Sequence, residues 1–313
     1  MDFVSTGEGR MKKASIDIGT NSVLLLAAEV NQGEIKVLEE LQSVPRLGKG
    51  VDQDKNLHPH SQQRVVDVLK TYQKHLEKYP SGVATNTIVT ATSAVRDALN
   101  KDEFLHRVKK ETGWDVLLLS GTAEAEISYR GALSVLKDRD AVHNVILDIG
   151  GGSTEVAYGK GRILTDGFSM DMGSVRFTER FLKNELSVAQ GIKKMRLAAQ
   201  NFFANRHLSI EKFDAVGVAG TVTSIAAIQE KLNHYKAARL NGSRLSADTV
   251  QNFIREFSEL TPEMIEEKYQ PFLTGRGDVI LAGLIILDEF LKWCDKNEVI
   301  VSTGGIRHGI LLE

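Results

Sequence analysis

An apolar strand that ends in an aspartate and then a glycine-containing turn occurs twice in this chain of 313 residues. The first copy spans residues 15–22 and contains Asp17, and the second spans residues 145–155 and contains Asp148. The two aspartates lie 131 residues apart, which is close to half the chain. Each turn precedes another apolar strand, so each copy predicts a strand–turn–strand hairpin. The repeat predicts two duplicated α/β domains whose turns face each other across a cleft.

The second turn is rich in glycine and hydroxyl side chains, in the order Gly150, Gly151, Gly152, Ser153 and Thr154. Glycine allows other groups to approach the main chain closely, and successive N–H groups beside hydroxyls form a concave site for anions. Asp148 and Glu155 flank this concavity, so a divalent cation that bridges carboxylates and phosphate oxygens is the expected third component. The alternative is an ordinary glycine-rich hairpin, because a single turn of this kind is a weak signal. The second copy of the pattern favours the phosphate interpretation.

The composition indicates a globular protein that binds neither nucleic acid nor membrane. Hydrophobic residues make up 42% of the chain, and the formal net charge is only −2. The longest apolar runs fall short of the roughly 18 residues that cross a bilayer, and the chain has no lysine or arginine tract. The one cysteine, Cys294, excludes an internal disulfide framework and a cysteine-based zinc site. These features predict a cytoplasmic protein.

Hydrophobic periodicity predicts alternating strands and helices in both halves. After a disordered lead-in over residues 1–13, we expect strands near 14–19, 22–30, 33–44, 87–91, 115–119, 145–149, 162–168 and 216–218. We expect helices from Pro59, over 101–112, from Ala123, after Gly173, over 187–205 and over 279–293. In the polar connection over residues 44–56, we expect Asp52, Asp54 and Lys55 to be solvated.

Three strand-to-helix junctions carry further polar groups that suit phosphate chemistry. Arg96 follows the hydroxyl-rich segment 90–93, and its rigid guanidinium suits phosphate better than a lysine does. The alternative is that Arg96 pairs with Asp97 or caps a helix. Thr221 lies at the start of a predicted helix, where free N–H groups hold phosphates. Glu124 lies in the first turn of another helix, a position that the helix dipole alone would favour.

Together these segments resemble the exopolyphosphatase/guanosine pentaphosphate phosphohydrolase family, which is part of the actin/hexokinase/heat-shock ATPase superfamily. The resemblance covers nearly the whole chain, through ordered motifs at residues 17–22, 91–100, 120–125, 148–155, 173–176 and 220–221. It implies an α/β fold of two actin-like (ribonuclease H-like) domains with the active site in the cleft between them. The implied domains are residues 14–125 and 126–313, and the implied assembly is a homodimer.

The resemblance assigns the catalytic base to Glu124. The family's catalytic glutamate is the second of a glutamate pair that follows a Ser-Gly turn, and Glu124 occupies this second position. Two departures accompany the match, because Ala123 replaces the first glutamate and Glu126 stands where an arginine is common. Any supporting role of the first glutamate is therefore lost in this chain.

The resemblance also assigns metal and phosphate ligands. The metal-binding carboxylates, which would hold Mg²⁺ or Mn²⁺, match Asp148 and Glu155, and Asp17 of the first copy is assigned beside them. The phosphate-binding groups match Asn21, Ser22, Arg96, Gly150, Gly151, Gly152, Ser153 and Thr221.

The implied activity is hydrolysis of a phosphoanhydride bond, with release of terminal phosphate from inorganic polyphosphate, guanosine pentaphosphate or both. Such hydrolysis needs neutralised charge on the transferred phosphoryl group, an in-line water and a group that orients this water. A P-loop enzyme is excluded because no Gly-x-x-x-x-Gly-Lys-Ser/Thr segment occurs. Two alternatives stay open, a small-molecule kinase of the same superfamily and a non-catalytic protein that binds alarmone nucleotides.

Overall fold

Two β-sheets, each built largely from one half of the chain, organise the residues that the structure describes. The structure is a computed structural model, and it describes residues 11–79, 83, 86–183 and 187–313. Strands alternate with helices in both halves, which confirms the predicted α/β class. No helix within the described ranges combines the length and the apolarity that a membrane crossing requires.

The first sheet contains the strands β1 (Met11–Ile18), β2 (Val23–Asn31), β3 (Glu34–Ser43), β4 (Thr87–Ala91) and β5 (Val116–Leu118). Their spatial order is β3-β2-β1-β4-β5. The accompanying helices are α1 (Val51–Asp54), α2 (Pro59–Leu76), α3 (Ser93–Arg96), α4 (Lys101–Thr112) and α5 (Gly121–Ser134).

The second sheet contains β6 (His143–Ile149), β7 (Thr154–Lys160), β8 (Ile163–Met170), β9 (Asp214–Val218), β10 (Arg244–Ser246) and β11 (Glu298–Val301), in the spatial order β10-β11-β9-β6-β7-β8. Its helices are α6 (Ser174–Phe181), α7 (Val188–Ala204), α8 (Ala219–Gln229), α9 (Ala237–Leu240), α10 (Ala247–Phe257), α11 (Pro262–Lys268), α12 (Ile280–Trp293) and α13 (Ile306–Gly309). A 3₁₀ helix, Ile310–Leu312, follows α13.

The two sheets repeat one topology. The order β8-β7-β6-β9-β11 in the second sheet corresponds to β3-β2-β1-β4-β5 in the first. In the first sheet, β1 carries Asp17 and pairs antiparallel with β2 and parallel with β4. In the second sheet, β6 carries Asp148 and pairs antiparallel with β7 and parallel with β9. The duplication that the paired Asp-Gly patterns predict is therefore present in the fold.

Helix α5 and the chain end cross between the two halves. Helix α5 packs its buried face, which includes Ala125 and Tyr129, against Ile146 and Ala157 of the second sheet. Residues 306–311 pack against Leu26 and Ala28 of the first sheet. The boundary predicted between residues 125 and 126 falls inside α5, and the division into domains stays a prediction.

The disordered lead-in predicted over residues 1–13 ends too late, because the first strand begins before residue 14. Residues 1–10 lie outside the described residues, but Met11–Lys13 already belong to β1. These three residues pair with Val30, Glu29 and Ala28 of β2, so the long partner strand extends β1 beyond its apolar segment. Backbone hydrogen bonds to a neighbouring strand are not visible in the hydrophobic pattern of a single segment.

Candidate active site

A cavity of about 420 Å³ is lined by residues from both halves of the chain. Most predicted site residues line it, namely Asp17, Asn21, Ser22, Glu124, Asp148, Gly150, Gly151, Ser153 and Thr221. Arg96, Gly152 and Glu155 lie behind these lining residues and contact them or their neighbours. The structure thus gathers residues from β1, α5, β6 and α8 at one place.

The two glycine-containing turns touch each other at the base of this cavity. A methyl group at Gly151 would lie 2.8 Å from Cβ of Thr20, and one at Gly152 would collide with the Ser93 hydroxyl. The Thr20 and Ser93 hydroxyls are themselves joined by a hydrogen bond of 2.9 Å. The φ angles of these turn glycines are not in the left-handed region. Close approach of the two halves, rather than an unusual backbone angle, therefore requires glycine here.

The glycine turn is held by its own backbone and by the start of α6. The Gly150 N–H donates to the Ser153 carbonyl over 3.0 Å, which closes the turn. The Gly150 and Gly151 carbonyls accept hydrogen bonds from the backbone N–H groups of Ser174 and Val175 over 3.0 and 2.9 Å. The first turn of α6 thus finds its hydrogen-bond acceptors in the glycine turn.

Asp148 and Glu155 stand directly opposite each other on the antiparallel strands β6 and β7. Side chains at opposed positions share one face of a sheet and lie close together. Both are buried, and each accepts a hydrogen bond from a serine, Asp148 from Ser128 over 2.5 Å and Glu155 from Ser169 over 2.6 Å. The second carboxylate oxygen of Glu155, Oε2, is buried and has no hydrogen-bond partner within the described part of the chain.

Burial disfavours the ionised forms of the carboxyl groups at this end of the cavity. It raises the pKa of Asp17 to about 7, and the neighbouring Asp148 charge adds to this shift. Burial also raises the pKa of Asp148 above its ordinary value, and burial with the charges of Glu124 and Asp148 raises the pKa of Glu155 further. Several desolvated carboxylates near one another are stable as anions only beside a cation.

This donor set fits a divalent cation such as Mg²⁺. Within the described ranges, no three His, Cys, Asp or Glu side chains form a complete metal-binding cluster. Mg²⁺ does not need one, because it usually keeps several waters and binds one or two carboxylates together with substrate phosphates. The unpartnered oxygen of Glu155 and the raised carboxylate pKa values both suit such an ion.

Glu124 is held in place by Arg96. Glu124 lies in the first turn of α5 with only 4% of its surface exposed. Its Oε2 atom accepts a hydrogen bond of 2.9 Å from Nη1 of Arg96, which also donates to the Leu119 carbonyl over 3.1 Å. Burial raises the pKa of Glu124 to about 8, and the Arg96 contact opposes this shift. Glu126, two residues on, instead forms an exposed pair with Arg130.

Arg276 also lines the cavity, and it was not predicted from the sequence. It is 9% exposed, its Nε atom has no hydrogen-bond partner among the described residues, and its guanidinium lies against Gly220 at the start of α8. Burial lowers its pKa, as expected for a desolvated cation. The only local signal is an arginine between two glycines, Gly275 and Gly277, just before the apolar helix α12.

Comparison with known proteins agrees with this architecture. The model of the Ppx/GppA phosphatase family matches residues 26–313. The bifunctional 3-dehydroquinate synthase/phosphatase of Fusobacterium nucleatum is 35% identical over 96% of this chain, although the chain spans only 46% of that protein. Exopolyphosphatase 2 of Mycobacterium tuberculosis is 31% identical over 96% of this chain and 97% of its own length.

Two further similarities concern a nucleotide phosphatase and a crystal structure. The guanosine-5'-triphosphate,3'-diphosphate pyrophosphatase of Vibrio atlanticus is 26% identical over 96% of this chain, which spans 58% of that protein. The crystal structure of the Ppx/GppA family member from Aquifex aeolicus superposes with a TM-score of 0.80 at 28% identity, covering 97% of each chain.

Proposed function

The chain belongs to the Ppx/GppA phosphatase family, and on this basis we propose that it hydrolyses phosphoanhydride bonds. Its substrates are inorganic polyphosphate, guanosine pentaphosphate or both, from which it releases terminal phosphate. One observation carries the proposal: two glycine turns from two repeated sheets meet beside a buried glutamate that an arginine holds. The similarity to the exopolyphosphatase of Mycobacterium tuberculosis and to the guanosine-5'-triphosphate,3'-diphosphate pyrophosphatase of Vibrio atlanticus supports the two substrates.

The substrate phosphates bind between the two turns. Asn21 and Ser22 of the first turn and Gly151–Ser153 of the second provide main-chain and side-chain donors. Thr221, at the start of α8, provides a further hydroxyl group. N–H groups at turns and at helix N-termini bind phosphate because they present partial positive charge. The guanidinium of Arg276, whose Nε atom has no hydrogen-bond partner among the described residues, lines the same cavity as Thr221 and supplies a positive charge.

Glu124 acts as the general base. A carboxylate with a pKa near the working pH accepts a proton from water efficiently while it remains available in its ionised form. Burial provides the raised pKa, and the hydrogen bond from Arg96 fixes the orientation of the carboxylate. Oε1, the carboxylate oxygen that Arg96 does not contact, takes the proton from the attacking water.

We propose Mg²⁺ or Mn²⁺ as the cofactor, held by Asp148 and Glu155 with Asp17 beside them. The support is the buried Oε2 atom of Glu155, which has no hydrogen-bond partner among the described residues, and the burial and mutual repulsion that raise the pKa of Asp17 and Glu155. When bound, such an ion neutralises phosphate oxygens on the transferred group. Ser128 and Ser169 orient the two sheet carboxylates through their hydroxyl groups.

The test is a phosphate-release assay with polyphosphate and guanosine pentaphosphate side by side in the presence of Mg²⁺. We expect release from at least one substrate and no phosphoryl transfer when glycerol or a sugar is added as acceptor. Transfer to the acceptor would support a kinase, and binding without release would support a non-catalytic alarmone binder. Either result would overturn the proposed hydrolase.

We further propose a homodimer located in the cytoplasm. The homodimer rests on the family resemblance, and light scattering after size-exclusion chromatography tests it. The location rests on the use of a single cysteine, which suits a reducing compartment. Fractionation of the source cells tests the location.

A further inference from the structure

Arg176 joins the glycine turn to the first half of the molecule. It lies on α6, and its side chain is only 8% exposed. Its Nε atom donates to the Gly152 carbonyl over 2.6 Å, while its two terminal nitrogens bind the carboxylates of Asp52 and Asp97. One guanidinium therefore contacts three separate segments, and two of them belong to the half of the chain that carries the first sheet.

Asp52 is not solvated, contrary to the sequence-based expectation. Its side chain is 14% exposed, and both of its oxygens accept hydrogen bonds from Arg180 over 2.5 and 2.7 Å in addition to the contact with Arg176. The short helix α1 places Asp52 against α6, which lies more than a hundred residues later in the chain. Asp52 therefore anchors two arginines of α6 rather than facing water.

The second anchor, Asp97, connects Arg176 to the catalytic region. Asp97 follows Arg96 directly, and Nε of Arg96 lies 3.9 Å from Oδ1 of Asp97. Arg96 in turn donates to Glu124. A continuous line of charged contacts thus runs from the carbonyl of Gly152 through Arg176, Asp97 and Arg96 to Glu124.

We propose that Arg176 is a positioning residue, which holds the glycine turn of the second sheet at a fixed distance from the Arg96–Glu124 pair. The inference rests on the proposed hydrolase function. Phosphate bound by the turn and water activated by Glu124 must be aligned, and misplacement by about 1 Å can lower a rate by about 100-fold. An arginine suits this task because its planar fork makes several directed hydrogen bonds at once.

The two halves have other connections, so loss of Arg176 does not separate them. Arg46 of the first half forms a two-pronged pair with Asp278, with both N···O distances at 3.0 Å. The backbone N–H of Gly50 donates to Glu179 over 3.0 Å. We therefore expect variants of Arg176 to fold and to keep both halves in contact, but with a less defined separation between the turns.

The kinetic test compares Arg176→Met with Arg196→Met. Arg196 is a matched control because it also pairs with two buried carboxylates, Asp288 and Glu289, but these lie on α12 within its own half. We expect kcat to fall between about 10- and 100-fold in Arg176→Met and not to recover at saturating substrate. Arg196→Met should lower the melting temperature while the folded enzyme keeps wild-type kcat. Asp52→Asn, a milder change, should lower kcat in the same direction.

A distance measurement without substrate tests the positioning role directly. Two cysteines are introduced by Lys74→Cys on α2 and Lys194→Cys on α7, both at exposed positions, and Cys294→Ser removes the native cysteine. Nitroxide labels on the two new cysteines report the distance between the two halves. We expect a broader or longer distance distribution in Arg176→Met and an unchanged one in Arg196→Met.

The outcomes separate this inference from the proposed function. An unchanged distance distribution, or wild-type kcat in Arg176→Met together with a lowered melting temperature, would overturn the positioning role. If the wild-type protein releases no phosphate but the distance is still altered in Arg176→Met, the proposed hydrolase function is overturned. The contact that Arg176 makes between the two halves would then still be established. If Arg176→Met does not fold, Arg176→Lys and Asp52→Asn are measured in the same way, and wild-type kcat in both overturns the positioning role.

Discussion

The guanidinium of Arg96 donates a hydrogen bond of 2.9 Å to the carboxylate of Glu124, although the two residues lie on different helices, α3 and α5. Glu124 is almost completely buried, and a buried carboxylate without a partner strongly favours its protonated form. Arg96 therefore has two effects, since it orients the carboxylate and favours its ionised state. Its assignment as a phosphate ligand and its contact with a carboxylate are compatible, because a guanidinium has five N–H donors.

Glu124→Gln should abolish most turnover while substrate binding remains close to that of the wild type. The amide keeps the size of the side chain and an oxygen that can accept from Arg96, but it cannot take a proton from water. We expect kcat to fall by roughly 10²–10⁴-fold, the usual contribution of a general base. The control is Glu126→Gln, which removes only an exposed pair with Arg130. Wild-type turnover in Glu124→Gln combined with loss of activity in Glu126→Gln would show that the base is misassigned.

Arg96→Gln should shift the acidic limb of the pH–rate profile to higher pH. Burial raises the pKa of Glu124, and the Arg96 hydrogen bond and charge lower it again. Removal of the arginine takes away the lowering contribution, so the pKa of Glu124 rises and a higher pH is needed to ionise the base. The profile of kcat against pH measures this shift. A profile that falls in height without moving along the pH axis would contradict the electrostatic role of Arg96 and leave only a binding role.

Much of the fold could be predicted because its information is local and repeated. The Asp17 and Asp148 patterns each specify a strand, a turn and a second strand, and their repetition predicts the duplicated topology. Most predicted site residues then line one cavity, because strand ends in corresponding sheets face each other. The opposed positions of Asp148 and Glu155 also follow from a tight hairpin between them.

The residues that sequence reasoning missed depend on contacts between distant segments. Asp52 looks like a solvated loop residue because nothing in residues 44–56 shows that α6 will pack there. Arg276 is buried against Gly220 from a different segment, and its neighbours in sequence do not indicate burial. Charged side chains are normally exposed unless they are paired, so a single sequence without its folded partners predicts exposure.

The proposed metal site predicts that activity depends on a divalent ion and on Asp148. Exhaustive chelation should stop phosphate release, and added Mg²⁺ or Mn²⁺ should restore it. Asp148→Asn should raise the Mn²⁺ concentration needed for binding, because hard cations prefer charged oxygen ligands. Electron paramagnetic resonance of free Mn²⁺ measures this binding independently of turnover. The control is Asp214→Asn, since Asp214 pairs with Arg139 at the opposite end of the parallel strand β9. Full activity after chelation would contradict the site.

His308 should make the protein sensitive to acid. It is 1% exposed on α13, and burial together with the Arg307 charge lowers its pKa to about 3. The unfolded chain takes up a proton near pH 6.5 while the folded protein does not, so stability falls as the pH drops from 6.5 towards 3. The loss is about 1.4 kcal/mol per pH unit, or about 2 kcal/mol between pH 6.5 and 5.

The carboxylates with raised pKa values have the opposite effect, because they favour the folded state as the pH falls. The contribution of His308 is therefore measured as the difference in stability loss between a His308 variant and the wild type. Urea unfolding of His308→Gln and the wild type at pH 7 and pH 5 provides this difference. We expect the variant to lose less stability on acidification than the wild type. His106→Gln, at an exposed position on α4, is the control and should follow the wild type. If His308→Gln and the wild type lose the same free energy of unfolding between pH 7 and pH 5, His308 is not the source of the acid sensitivity.

Gly152→Ala should disturb catalysis by forcing the two turns apart. The added methyl would collide with the Ser93 hydroxyl and would lie 2.9 Å from Oγ1 of Thr20. Since the turns belong to different halves of the molecule, relief of this collision moves the phosphate cradle relative to Glu124. We expect kcat to fall at least about tenfold, because alignment errors of this size are costly.

Rescue by Ser93→Ala distinguishes this collision from a general loss of turn structure. The second substitution removes the hydroxyl that the new methyl meets, while the contact with Thr20 remains, so activity should recover only in part. Ser93→Ala alone should lower kcat slightly, because it removes the 2.9 Å hydrogen bond to Thr20. The double variant should therefore be more active than Gly152→Ala, which is a non-additive result expected only for residues in contact. Additive losses in the double variant would show that the contact with Ser93 is not what requires glycine at this position.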